Sequence, residues 1–142
     1  MSRKSAKIAA LIEQCRGHEL PAQYLGYFEC FNRQLFYEAH DVLEELWLAE
    51  GRNAANYGFY KGLIQFAGAF VHLQKKRRGP AVALFKLSRS YLEQYSSPHQ
   101  RLDVQRVLIL AAEWIGTVED PASREEVLNE KPPPVLILES SS

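Results

Sequence analysis

Apolar residues recur along this chain at intervals of three and four, the spacing of helices buried on one side. The pattern is sharpest from Phe36 to Trp47, where an apolar stripe and five ionisable side chains share twelve positions. At roughly 100° per residue, Leu35, Phe36, Ala39, Val42, Leu43, Leu46 and Trp47 fall within little more than a third of the helix circumference, the width of a core-facing stripe. The polar residues divide between its edges. His40 and Glu44, spaced i and i+4, border the Trp47 edge, Glu38 and Glu45 border the other, and Asp41 points outward. One helix cannot gather all five, so any site here takes one edge and borrows partners from another helix.

The same periodicity predicts the remaining elements. Ile8, Leu11, Ile12 and Cys15 mark a first helix over 5–16, stopped by Gly17. Pro21 suits the first turn of a second helix, which carries Tyr24, Leu25, Tyr27, Phe28 and Phe31 up to Asn32, read as a left-handed or turn residue. The two tyrosines are expected to keep their hydroxyls in water. The motif helix should close near Glu50 and Gly51.

The helix over 56–76 is the most hydrophobic and is expected at the centre, leaving one polar stripe of Lys61, Gln65 and His72 with Gly68 beside it. Glycine there costs a helix about 1 kcal/mol relative to alanine, which calls for a close approach by a backbone or a ligand. Lys75 to Arg78 end that helix and Gly79-Pro80 turn the chain into a fifth. Ser96-Ser97-Pro98 break the fifth, and Asp103 caps a sixth that runs to Gly116. A short helix over 122–128 precedes Pro132-Pro133-Pro134 and the apolar run Val135 to Leu138, a tail that is disordered or docks on a surface. The predicted architecture is all-α: a compact bundle of five to six antiparallel helices with a buried central helix, over 1–118, followed by a proline-containing tail over 119–142.

Composition narrows the class of protein. At 142 residues the chain suits one core. Lys plus Arg and Asp plus Glu are 17 each, so the bulk charge asks for neither nucleic acid nor an anionic membrane. Lys75 to Arg78 answer the helix dipole as readily as they would phosphates. Cys15 and Cys30 lie in helical patterns without CxxC pairing, and no apolar run reaches membrane-spanning length. These features describe a reduced cytoplasmic protein, or a stromal one in a photosynthetic eukaryote.

Phe31-Asn32, the run Phe36 to Trp47, and Lys61 to Leu73 together resemble a family of small helical domains of unknown function, found in bacteria, archaea and plastid lineages. Its signature reads F-N, then F-[FY]-E-A-H-[DE]-x-x-E-x-x-W, then G-L-I-Q ending in H-L. The resemblance covers the middle third of the chain closely and the fifth helix loosely, through Gly79 and Ala81. It implies an all-α bundle of about five helices and transfers no activity.

The candidate binding residues are Glu38, His40, Glu44, Trp47, Lys61, Gln65 and His72. If the His40/Glu44 edge faces the Lys61/Gln65/His72 stripe across an antiparallel contact, imidazoles, a carboxylate and an amide converge beside Trp47. Three readings follow. The groups can pair with one another in a closed seam that fixes helix register. They can line a pocket for a small polar ligand or a protein partner. His40, Glu44 and His72 can hold a divalent metal for a hydrolase, although neither H-E-x-x-H nor E-x-x-H spacing is present. A fourth reading, a tetratricopeptide-like scaffold, rests on a faint repeat at an offset of 42 that aligns Ala39 with Ala81.

Overall fold

Among the described residues seven helices follow one another: α1 (Ala6–Gln14), α2 (Ala22–Asn32), α3 (Phe36–Glu50), α4 (Tyr57–Gln74), α5 (Arg78–Leu92), α6 (Val104–Glu119) and α7 (Val127–Glu130). This computed structural model describes residues 6–123 and 126–140, and no strand occurs among them. The expected start of the first helix at Ser5, positions 124 and 125 of the expected short helix, and the last two tail residues lie outside the described residues.

Each helix from α1 to α5 packs on the one that follows it, and α7 touches α4. Side-chain pairings show the antiparallel sense: Phe31 of α2 meets Phe36 of α3, Phe36 meets Phe70 of α4, and Phe70 meets Phe85 of α5. Trp114 of α6 closes the column edge-on to Phe70 at 5.0 Å. This aromatic spine joins five helices, which is why α4, lying between α3 and α5, is buried over most of its length.

Helix ends follow local rules with instructive exceptions. Asp103 caps α6 as predicted, accepting from the Arg106 N–H at 3.1 Å, and Gly51 ends α3 with φ 85°. The helix α6 runs past the exposed Gly116, because Val118 in its last turn is buried. Gly79 and Pro80 lie inside the first turn of α5, where a missing N–H is harmless. The turn falls earlier, at Lys76, with φ 60° and N–H bonds from Lys76 and Arg77 back to the carbonyls of Leu73 and His72.

Two expectations for α2 are corrected. Asn32 is helical and Gln34 takes the left-handed position. The Asn32 side chain instead clamps the tail: its Nδ2 donates to the Leu136 carbonyl and its Oδ1 accepts from the Leu136 N–H, both at 2.8 Å. Leu136 is thereby buried on the bundle. Tyr24 and Tyr27 are fully buried rather than wet, donating to the carbonyls of Gln100 and Leu63 at 3.0 and 2.7 Å.

Candidate functional site

Helical periodicity sets two ladders side by side on the open edge of the α3–α4 contact. Tyr37, His40, Glu44 and Trp47 rise along α3 at steps of three and four. Lys75, His72, Gly68, Gln65 and Lys61 descend the facing side of α4, so that His40 stands beside Gly68 and Trp47 beside Lys61. A cleft of about 230 Å³ opens along the upper part of this seam.

His40, Gln65, His72 and Tyr37 supply its polar atoms, Lys75 stands at its lip, and Ile64, Val71 and the α5 residue Leu84 form its apolar wall. Gly68 makes the floor. A Cβ on Gly68 would come 3.2 Å from Leu84 Cδ1 and 3.8 Å from His40 Cδ2, inside the space the cleft now occupies.

The polar groups are poorly partnered. Four buried side-chain atoms among the described residues lack a hydrogen-bond partner, namely His40 Nδ1, Trp47 Nε1, Gln65 Oε1 and His72 Nδ1. All four belong to this seam, and three line the cleft. Each such atom costs about 1–3 kcal/mol when desolvated without a partner, so their concentration in one place is chemically informative. The mutual pairing that a closed register-fixing seam requires is not made at these atoms.

Burial, reinforced by the Arg77 and Lys75 cations, lowers the His72 pKa, so this imidazole is neutral at pH 7. His40 Nε2 lies 4.0 Å from Glu44 Oε2 on the rim, and both side chains are partly exposed.

The remaining sequence candidates fall elsewhere. Lys61 does not line the cleft; its Nζ sits 4.7 Å from the Trp47 ring centroid, and Trp47 in turn lies 5.1 Å from Tyr57. Glu38 faces the α2 side, where burial and then its carboxylate push the Cys30 thiol up to about 11. Among the described residues no group of three or more His, Cys, Asp or Glu side chains is arranged to hold a metal ion.

Sequence reasoning missed Tyr37, Lys75 and Leu84. The first two carry a usable signal, since each continues a ladder by three residues, from His40 and from His72. Leu84 carries none, because it arrives from a third helix. A larger cavity of about 350 Å³ lies between α1 and α2, but among the described residues no unpaired buried polar atom lines it, and its Arg101 is already paired with Glu19 at 2.8 Å.

The fold and cleft define a small all-helical domain with a lateral, polar-seamed cavity. Within that class, residues 24–90 match the model of the DUF309 family, a domain of unknown function. The matched segment spans α2 to most of α5 and contains every residue of the cleft. No curated protein and no solved structure matches the chain. No helix among the described residues is long and apolar enough to cross a membrane.

Proposed function

We propose that this domain is a binding module whose α3–α4–α5 cleft takes a small ligand with an apolar body and hydrogen-bonding groups. The observation that carries the reading is the convergence of three unpartnered buried atoms, on His40, Gln65 and His72, in one open cavity walled by Ile64, Val71 and Leu84. A ligand that supplies the missing hydrogen bonds recovers a desolvation cost the free protein already bears. The glycine floor supports the same reading, because a helix-weakening residue is kept where a side chain would occupy the cavity.

The test is a small-molecule fragment screen by two-dimensional NMR on the full chain, with Gly68→Ala as the comparison. Binders should shift resonances of His40, Gly68 and His72, and should weaken on Gly68→Ala while that variant stays folded. Leu84 is only half-buried and can yield to the added methyl, so its stability should hold or rise by up to about 1 kcal/mol. Fragments that bind only elsewhere, or bind the variant equally well, would defeat the reading.

A further inference from the structure

We infer that the ligand of this cleft carries a carboxylate, held at the Lys75 end, on a short apolar body; the inference rests on the cleft being a binding site. Lys75 is the one lysine among the lining side chains, which include no arginine. Its ammonium makes no ion pair with any described residue, whereas two nearby cations, Lys76 and Arg78, are committed. Lys76 pairs with Glu126 at 2.7 Å, and Arg78 donates to the Val118 carbonyl at 2.6 Å and to Ser123 Oγ.

Three of the last four carbonyls of α4 are already occupied and do not oppose an anion. Those of Val71, His72 and Leu73 are taken by the N–H groups of Lys75, Lys76 and Arg77. Among the described residues no carboxylate lines the cleft, and Glu44 stands outside on the rim beside His40.

Deeper in, two imidazole nitrogens and the Gln65 amide oxygen lack partners. An imidazole can present an N–H to an anionic oxygen, and the Gln65 amide can present its NH₂ by rotation. Ile64, Val71 and Leu84 offer nothing to a fully polar molecule, so the remainder of the ligand is apolar. A cavity of about 230 Å³ sits below the roughly 300–1,000 Å³ of sites for drug-sized compounds, which limits the body to one ring or a short chain.

The deciding experiment titrates 3-phenylpropanoate, 3-phenylpropanamide and 3-phenylpropylamine into the full-length protein at pH 7.5, with NMR shifts at Gly68 and His72 as the readout. Lys75→Met and Lys75→Arg are titrated alongside. The acid should bind about five- to tenfold tighter than the amide. That advantage should vanish in Lys75→Met and persist in Lys75→Arg. Equal binding of acid and amide, preference for the amine, or an advantage that survives Lys75→Met would overturn the carboxylate assignment while leaving a ligand cleft in place. Silence of all three probes at Gly68 and His72 would overturn the assignment and count against the cleft reading as well.

Discussion

Gly62→Ala is the substitution for which the structure gives the sharpest energetic expectation. Gly62 is buried on α4 where α5 crosses it. A Cβ there would stand 2.7 Å from Leu92 Cγ, 2.8 Å from Leu92 Cδ2 and 3.3 Å from the Ser88 carbonyl oxygen. The obstructing atom is the branch carbon of a fully buried leucine, so rotating the leucine tip does not relieve it and α5 must move outward.

That movement also strains the buried bond from Ser88 Oγ to the Gly62 carbonyl, now 2.7 Å. Overpacking costs about 1–3 kcal/mol and a weakened hydrogen bond adds about 1 kcal/mol. The better helix propensity of alanine returns about 1 kcal/mol. A net loss of about 1–3 kcal/mol follows from these three effects.

Gly116→Ala is the matched control, since Gly116 lies in α6 with no atom within 4 Å of its Cβ position. It should gain about 0.5–1 kcal/mol from propensity alone. Urea unfolding followed by far-ultraviolet circular dichroism measures both, with unchanged slopes indicating that the transitions are comparable. If Gly62→Ala proved as stable as Gly116→Ala, the close α4–α5 approach at Gly62 would be wrong.

Two further outcomes are expected. Asn32→Ala removes both bonds to Leu136. The Leu136 amide should then lose hydrogen-exchange protection, with a local cost of about 1–3 kcal/mol; retained protection would refute the clamp.

Stability should also fall as pH drops below 6.5. His72 and His99 both have folded pKa values lowered from 6.5, His72 by burial and then Arg77 and Lys75, His99 by burial. The unfolded chain therefore takes up these protons first, so their contribution is complete above pH 6.5 and is lost as pH falls through it toward the folded values. Urea midpoints across that window should decline less steeply in a His72→Gln, His99→Gln double variant, and an unchanged slope would refute the assignment.

The sequence by itself determined the helical elements and which residues share a face. Apolar spacing in α3 and α4 is a property of the local chain, and it sets His40 and Glu44 along one edge of α3 and Gln65, Gly68 and His72 along one stripe of α4. The Asp103 cap and the Gly51 stop were legible for the same reason, since each acts within one turn.

Tertiary structure decided everything that depends on a third partner. Leu84 closes the cleft because α5 crosses there, Lys61 leaves the cluster because Trp47 offers it a ring face, and Gly62 is the glycine pressed by a buried leucine while Gly68 floors a cavity. Asn32 looked like a turn residue and became the clamp on Leu136, 104 positions away. Periodicity fixes the direction of a side chain around its own helix. It carries no information about how neighbouring helices rotate and slide, and that is what leaves His40, Gln65 and His72 with unpartnered atoms.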